Sequence, residues 1–499
     1  MLSGTSLSVV GAVGKWGMLV SAASRLRGVL PGWIVLSALY LLVRAGGGRF
    51  LHEERLNGWG YLDLAALENE FWPSITNLHI QPPLLNALTG VTLGDAGVMR
   101  LTWIYALAAF ATVALVVDTL RLAGMRERWA ALAGVAYALL PSTVIYAFFP
   151  YNPTLIALFA SLAVWGVALA SRRPALGVSI SALGAAGLFT IRASFLWVVV
   201  LAWLIGLAVL LVRRARRGSR WPGGVVLALL ASFVIVVQGH YVLSFQSWTL
   251  STWSSENLAN GMLRLGLTEE AKAELAGRDP CFAELATGAW QPARAYVSCF
   301  GNIDSLISGA TVVDEEFKSF PPDTLNYNYG LRRAIEPSWA EFVRSGLALE
   351  PTAFVRLTLG TEAAPGTIEL FLGRSDAVYS TLDIQKQAAP GVWSALGVWS
   401  AVFPWLAWAL VLIAAGVAVF VRSARPAGVF WWAAALLVVH AAPSVLGEYG
   451  ENARFRAETD PVLMVTAVLA IGVLARAVMA LRTPRAARRG ETAVDRLAS

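Results

Sequence analysis

Apolar runs recur along most of this amino-acid sequence. A run of roughly 20 apolar residues can cross about 30 Å of hydrocarbon as a single α-helix. Ten such runs occur, near residues 30–46, 98–120, 129–148, 153–171, 175–191, 193–212, 223–244, 396–421, 427–446 and 459–481. With 57% hydrophobic and only 14% charged residues, the chain has the composition of a membrane protein rather than that of a soluble domain. The sequence therefore predicts an all-α polytopic membrane protein with about ten transmembrane helices.

Two of these ten runs are separated by almost no loop. Arg192 is the only charged residue between the runs 175–191 and 193–212. The two runs could therefore be separate spans, or they could form one broken or re-entrant element.

Arginine residues beside the apolar runs predict the orientation, because cytoplasmic helix ends are enriched in Lys and Arg. Arg-rich connections alternate with connections poor in Lys and Arg, and the rich ones hold Arg126 and Arg128, Arg172 and Arg173, the cluster 213–220, Arg422 and Arg425, and the tail from Arg482. Both termini are then cytoplasmic, and residues 47–97, 245–395 and 447–458 are exoplasmic. These clusters account for the net charge of +7, so nucleic acid is not the partner that this charge indicates.

The same pattern predicts four regions. They are an N-terminal transmembrane module over 1–244 with a long first exoplasmic loop at 47–97, a mixed exoplasmic domain over 245–395, C-terminal transmembrane helices over 396–482, and a basic cytoplasmic tail over 483–499. The only two cysteines, Cys281 and Cys299, both fall in the exoplasmic domain, where an oxidising compartment allows a disulfide. The alternative is two buried thiols, since spacing alone does not bring their Cβ atoms together.

The first candidate functional stretch lies in the long first loop. This loop of about 50 residues is far longer than two adjacent helices need, and it carries Asp63, His79 and Gln81. Pro82-Pro83 stiffens the chain where it re-enters the membrane, so His79 and Gln81 could form a rigid polar wall beside a carboxylate. Asp63 could instead cap a helix, and His79 could bond a helix end. The other acidic residues that compete for an acid–base role are Glu53, Glu54, Glu68 and Glu70.

The second stretch, residues 251–261, follows the seventh predicted span. Its Ser, Asn and Trp residues, including Trp253 and Asn257 beside Glu256, suit a sugar, whose hydroxyls need donors and acceptors and whose ring faces stack on indole. The same residues could be turn and N-cap signals that open a helix around 268–276.

The third stretch, residues 450–458, precedes the last span. Arg454 and Arg456 lie on the side that the positive-inside rule depletes of arginine. Guanidinium groups bind phosphate through paired, charge-assisted hydrogen bonds, so these two residues are candidates to hold a lipid phosphate. They could instead form ion pairs with acidic neighbours, which are Glu448, Glu451 and Glu458. The four histidines, at 52, 79, 240 and 440, show no metal-ligand spacing, so no metal site is predicted.

Taken together, these stretches resemble motifs of the GT-C superfamily of membrane glycosyltransferases. The likeness is to bacterial family 39-like proteins, which are related to protein O-mannosyltransferases and aminoarabinose lipid A transferases. The matching residues are Leu62-Asp63, His79-x-Gln81-Pro82-Pro83-Leu84-x-Asn86, Asn257-Leu258-Ala259-Asn260 and Asn452-Ala453-Arg454-Phe455-Arg456. Ala457-Glu458-Thr459 departs from the more apolar continuation that is typical of the family.

The resemblance implies an inverting glycosyltransferase in the bacterial inner membrane, with its active site on the exoplasmic face. It would move a sugar from a polyprenyl-phosphate donor to a hydroxyl of a glycan, lipid or protein acceptor. Asp63 would be the general base, and Arg454 and Arg456 would stabilise the departing phosphate. The residues that would bind substrate are His79, Gln81, Trp253, Glu256 and Asn257.

The resemblance implies no cofactor, and the sequence leaves a divalent metal open. Two other functions stay open at this point. An oligosaccharyltransferase-like or glycan-ligating enzyme would share the topology. A lipid or solute transporter would place its charged residues near the membrane midplane, often in repeated halves.

Overall fold

A computed structural model gives the structure of this chain. It describes the backbone of residues 6–47, 62–94, 97–148, 152–216, 220–245, 247–289, 291–300, 316–318, 325–359, 390–421, 428–447 and 452–482. Within these ranges the side chains of residues 6–25, 98, 358–359, 442–447 and 452–456 are not described.

The described residues form nineteen α-helices. From the N-terminus to the start of the polar block they are α1 (Ser6–Ala45), α2 (Leu64–Asn69), α3 (Phe71–Thr76), α4 (Leu84–Thr92), α5 (Gly97–Leu122), α6 (Glu127–Ala138), α7 (Pro141–Ile145), α8 (Asn152–Leu169), α9 (Pro174–Ile191), α10 (Trp197–Arg214) and α11 (Trp221–Phe245). From there to the C-terminus they are α12 (Trp253–Gly261), α13 (Glu269–Arg278), α14 (Pro280–Leu285), α15 (Gly330–Leu349), α16 (Ala353–Leu359), α17 (Pro390–Phe420), α18 (Gly428–Gly447) and α19 (Asn452–Arg482).

By length and composition, eight helical segments in the described part of the chain could cross a membrane. They are Leu26–Ala45, Met99–Leu122, Asn152–Leu169, Pro174–Ile191, Trp197–Arg214, Trp221–Phe245, Pro390–Phe420 and Ala457–Leu481. The protein is thus an all-α polytopic membrane protein, as predicted. The runs on either side of Arg192 are two separate helices, α9 and α10. The predicted span at 427–446 corresponds to α18.

The predicted span at 129–148 differs from the structure, because it divides into α6 and α7. Pro141 at the start of α7 has no N–H and disfavours a continuous helix. The Tyr137 carbonyl at the end of α6 accepts from the Leu140 N–H at 3.0 Å and from the Thr143 hydroxyl at 3.0 Å. Leu140 and Thr143 therefore satisfy the Tyr137 carbonyl, which has no helical donor because Pro141 lacks an N–H. At 12 residues, α6 is shorter than the roughly 20 that a full crossing needs.

Helix α8 is the centre of the bundle and packs against α5, α9 and α19. Its contact with α9 is unusually close because glycines line both sides. A Cβ added to Gly166 would overlap the Ser181 backbone nitrogen and lie 2.6 Å from the Gly177 carbonyl oxygen. Small residues at a helix interface allow such approach in a membrane, where dispersion contacts hold the helices together.

Two smaller cores lie outside the bundle. One joins α12 to α16 around Trp339 and Phe342, which are fully buried, and it includes Leu275 and Leu285. The described elements of this polar block are helices, apart from an isolated antiparallel bridge between Phe317 and Leu325. The other core joins the first loop to the block and contains Leu62, Leu67, Leu78, Ile80 and Tyr327, with Trp253 packed against it. The first loop therefore packs on the polar block.

We predict that Gly166→Ala destabilises the protein, by about 1–3 kcal/mol, because the added methyl group overpacks the α8–α9 contact. Gly416→Ala is the matched control, since nothing lies within 4 Å of a Cβ at Gly416 in α17; loss of glycine there should be neutral or stabilising. Thermal unfolding in one detergent compares the two variants. Equal midpoints would contradict the close packing described for α8 and α9.

Candidate functional site

Asp63 caps the first helix of the long loop. Its Oδ1 accepts the Ala65 N–H at 2.8 Å at the start of α2. The preceding backbone is also held, since the Leu62 N–H donates to Asn86 Oδ1 at 2.8 Å. Capping is the alternative role that the sequence left open for Asp63. The Asp63 side chain is half-buried, so the same carboxylate is fixed in place and still borders the surface.

His79 ties three parts of the chain together. Its backbone N–H donates to Asn328 Oδ1 at 2.8 Å, its Nε2 lies 2.9 Å from the Asn328 carbonyl oxygen, and its Nδ1 lies 2.8 Å from Thr252 Oγ1. A carbonyl oxygen only accepts, so Nε2 carries the proton and Nδ1 accepts from the Thr252 hydroxyl. Burial lowers the pKa of His79 to about 3, so the ring is neutral at physiological pH. His79 thus joins the first loop to residues 252 and 328, and both of its ring nitrogens are engaged.

The segment around His79 is fastened from both sides. The Tyr241 hydroxyl of α11 donates to the Leu78 carbonyl at 2.8 Å, and the Ser251 hydroxyl donates to the Ile80 carbonyl. The Thr252 N–H donates to the His79 carbonyl at 2.8 Å. Residues 78–81 therefore form a rigid wall and not a loose connection.

Gln81 lies at the end of this wall with hydrogen-bonding capacity to spare. Its side chain is 8% exposed, and its Nε2 has no acceptor among the described residues. A buried amide donor without an acceptor is uncommon, and an unseen water or ligand is the usual reason. Gln81 is thus a predicted substrate-binding residue whose side-chain donor is unmatched among the described residues.

Lys318 comes from a distant part of the sequence and lies within electrostatic reach of Asp63. The Lys318 side chain is 5% exposed, and burial lowers its pKa to about 7, whereas the Asp63 carboxylate acts to raise it. A neighbouring ammonium favours the ionised form of a carboxylate. The pair therefore gives the site a carboxylate that can accept a proton and an amine that titrates near neutral pH.

Trp253, Glu256 and Asn257 belong to helix α12, although their region also suited turn and cap residues. The next α-helix begins later, at Glu269, with Thr268 as its N-cap. Glu256 is buried and pairs with Arg332 at 3.4 Å. Trp253 packs edge-to-face on Tyr327, with ring centroids 5.2 Å apart.

Asn257, by contrast with its neighbour Glu256, is half-buried. The Arg332 guanidinium also lies over the Tyr327 ring, 4.7 Å from its centroid. Helix α12 thus packs on the wall through Trp253, and Glu256 forms an ion pair with Arg332.

A second carboxylate in this region is Glu336 of α15. The Ser255 hydroxyl donates to Glu336 Oε1 at 2.6 Å, and Glu336 Oε2 has no partner in the described part of the chain. Burial raises the pKa of Glu336 to about 8, and the Glu256 carboxylate adds to this effect. Burial therefore favours the neutral carboxylic acid form of Glu336, which lies next to the Glu256–Arg332 ion pair.

The remaining predicted residues have different outcomes. Cys281 and Cys299 form a disulfide, with their Cα atoms 4.6 Å apart. Arg454 and Arg456 lie in the first turns of α19, and their side chains are outside the described residues. Across the described ranges, no group of three or more His, Cys, Asp or Glu side chains could hold a metal ion.

Comparison with known proteins gives little support of its own. No protein-family model matches this chain, and no curated protein matches it. The chain is similar to the crystal structure of ArnT from Cupriavidus metallidurans bound to undecaprenyl phosphate, at 16% identity over 89% of this chain and 78% of that one, with a TM-score of 0.30. ArnT from the same organism in the apo state gives 15% identity over the same shares, with a TM-score of 0.25. Likeness at this level carries no weight for function, which rests on the residues above.

Several residues of the site have no clear signal in the sequence. Lys318, Asn328 and Arg332 reach the first loop or α12 across long stretches of chain, and Asn328 is 249 residues from its partner His79. The only local hint is the polar run Asn326-Tyr327-Asn328-Tyr329 immediately before α15, which suits a helix-initiating turn.

We predict that His79 makes the protein acid-sensitive. Because the folded-state pKa is about 3 and the ordinary value is about 6.5, the stability that neutral His79 provides is complete above pH 6.5. It is lost as the pH falls towards 3, by about 1.4 kcal/mol per pH unit. Thermal unfolding between pH 7.5 and 5 should therefore show a decline that is smaller in His79→Gln, whose amide does not titrate. The same decline in both proteins would contradict the buried neutral ring.

Proposed function

We propose that this protein is an inverting glycosyltransferase that moves a sugar from a polyprenyl-phosphate-linked donor to an acceptor hydroxyl on the exoplasmic face. The observation that carries the proposal is the half-buried Asp63 beside the rigid wall of residues 78–81. That wall packs with Trp253 of α12 and with Leu325 and Tyr327, and Tyr241 of helix α11 bonds it to the transmembrane bundle. A site at the junction of polar loops and apolar helices suits a substrate with a polar head and a lipid tail.

Asp63 has the properties that a general base requires. The Ala65 N–H at 2.8 Å holds its carboxylate in place, and Lys318 lies within electrostatic reach of it. Its half-buried side chain can meet an acceptor hydroxyl at about 3 Å once substrate is bound. Deprotonating that hydroxyl would allow it to attack the anomeric carbon of the donor from the face opposite the leaving phosphate, which inverts the anomeric centre.

The other groups have supporting roles in this proposal. The unmatched amide donor of Gln81 can bond a sugar oxygen, and Asn257 can do the same from α12. His79 holds the wall in register through its engaged ring nitrogens and needs no contact with substrate. Arg454 and Arg456, four and two residues before Glu458 in α19, would stabilise the charge that develops on the departing polyprenyl phosphate.

The membrane supplies the donor in this account. A polyprenyl chain partitions into the hydrocarbon beside the bundle, while its phosphate and sugar reach the polar loops. The partners proposed are therefore membrane lipid, a polyprenyl-phosphate sugar, and a glycan, lipid or protein acceptor. The location proposed is a bacterial inner membrane with the site on its exoplasmic side.

We predict that Asp63→Asn lowers kcat/KM for sugar transfer by about 10²- to 10⁴-fold, because the amide cannot accept the proton. The control is Glu68→Gln, which neutralises an exposed carboxylate one turn along the same helix α2 and should leave transfer unchanged. The assay uses purified protein in nanodiscs, undecaprenyl-phosphate-linked sugars and a panel of hydroxyl acceptors.

Three results would contradict this assignment in different ways. Full activity of Asp63→Asn would remove Asp63 as the base, and loss of activity in Glu68→Gln alone would move that role to Glu68. Absence of transfer by the wild type with every such donor, together with movement of substrate across sealed vesicles, would favour a transporter.

A further inference from the structure

A buried ionic cluster lies at the start of the last transmembrane helix. Arg192 NH1 donates to Glu458 Oε1 at 2.6 Å, and these side chains are 7% and 0% exposed. His440 Nε2 lies 3.2 Å from Glu458 Oε2. Three helices meet here, since Arg192 is the C-cap of α9, His440 belongs to α18 and Glu458 belongs to α19.

Every partner in this cluster is held in place by a second contact. A cation at the C-terminal end of a helix is stabilised by the helix dipole, and Arg192 occupies that position on α9. The Arg192 Nε also donates to Ser194 Oγ at 3.2 Å. The His440 ring stacks on Phe195, with centroids 5.3 Å apart and planes 18° from parallel. Glu458 therefore docks into a site whose geometry is already fixed.

A neighbouring contact anchors the same turn of α19 from another direction. The Ser142 hydroxyl of α7 donates to Asp460 Oδ2 at 3.3 Å, and both residues are buried. Because Asp460 is only two residues beyond Glu458, the beginning of α19 is fastened to α7, α9 and α18 together. Ionisable groups inside a membrane protein are energetically costly and usually mark function. Replacing one member of a buried ion pair leaves the other as an uncompensated buried charge.

Glu458 itself cannot be a group that touches substrate, because it is 0% exposed. Glu458 instead affects the backbone about one turn before it in α19. Helix α19 is continuous from Asn452 to Arg482, and at about 1.5 Å per residue the Cα atoms of Arg456 and Arg454 lie about 3 and 6 Å before that of Glu458 along the axis. Whatever fixes Glu458 therefore fixes the backbone that carries both arginines.

We propose that Glu458 is a positioning residue, which latches onto Arg192 and His440 and so holds the first turns of α19 at one depth for binding of a lipid phosphate by Arg454 and Arg456. The inference rests on the proposed function for its ligand. It also accounts for Arg192, the charged residue between two apolar runs, because its guanidinium pairs with Glu458 of the last helix.

The latch itself is tested by hydrogen exchange of the full chain in nanodiscs. In Glu458→Gln and in Arg192→Gln, the amides of residues 456–460, the first with helical acceptors, should exchange about tenfold faster or more than in the wild type, because the anchored turn opens locally. The control is Glu274→Gln, which breaks the exposed i,i+4 pair with Arg278 on α13 and should leave those amides unchanged. Unchanged exchange in both latch variants would overturn the proposal.

The positioning role is tested by binding and kinetics. Glu458→Gln should weaken binding of undecaprenyl phosphate by about tenfold, and should raise the KM for its glycosylated form in parallel, with the acceptor KM unchanged. Arg192→Lys keeps the positive charge and should therefore retain most of the wild-type affinity for undecaprenyl phosphate. A merely structural role would reduce the amount of active protein, and hence kcat, without changing the affinity of what remains.

The outcomes separate this inference from the proposed function. Wild-type protein that binds undecaprenyl phosphate but transfers no sugar would defeat the transferase and leave the latch to be judged by binding. Faster exchange in Glu458→Gln with unchanged lipid-phosphate affinity would reduce the cluster to a structural contact and overturn the positioning role. Wild-type protein with no affinity for undecaprenyl phosphate would overturn the positioning role together with the proposed donor.

Discussion

Hydrocarbon offers no hydrogen bonds, so backbone polar groups and charges that enter the bundle need partners within the protein. That constraint selects long helices and explains where the exceptions occur. Where Pro141 interrupts an apolar run, the Leu140 N–H and the Thr143 hydroxyl donate to the Tyr137 carbonyl, which has lost its helical donor. Where Arg192 enters the bundle, Glu458 neutralises it at 2.6 Å. The apolar scaffold and its few buried charges therefore follow from one physical requirement.

A second consequence is that the long first loop behaves as part of a folded unit. Its small core includes Leu78 of the loop and Tyr327 of the polar block. His79 completes the junction with bonds to Thr252 and Asn328. The proposed site is therefore composite: the loop provides Asp63, the block provides Lys318, and neither region alone contains both.

Sequence patterns predict the helices of this protein better than they predict the contacts between distant residues. Apolar length is a local property, so most of the spans could be read directly. The run 129–148 was predicted as one span because its apolar length outweighed Pro141, the residue that divides it. The partners of His79 and Asp63 could not be read in this way, since Asn328 and Lys318 are brought near by tertiary packing across about half of the chain. Glu256 is a predicted substrate-binding residue, and its ion-pair partner Arg332 lies on a helix that the local pattern does not relate to it.

The central claim is that the first loop and the polar block form one site on the exoplasmic face, and sided labelling tests it most directly. The chain contains two cysteines, which are joined in a disulfide, so a single added thiol reports alone. Glu68→Cys places it on the exposed side of α2, and Arg128→Cys places it at the opposite predicted face, where Arg128 is exposed. In sealed right-side-out vesicles, a membrane-impermeant maleimide should label Glu68→Cys at once and Arg128→Cys only after permeabilisation. Labelling of Glu68→Cys only after permeabilisation would contradict the account.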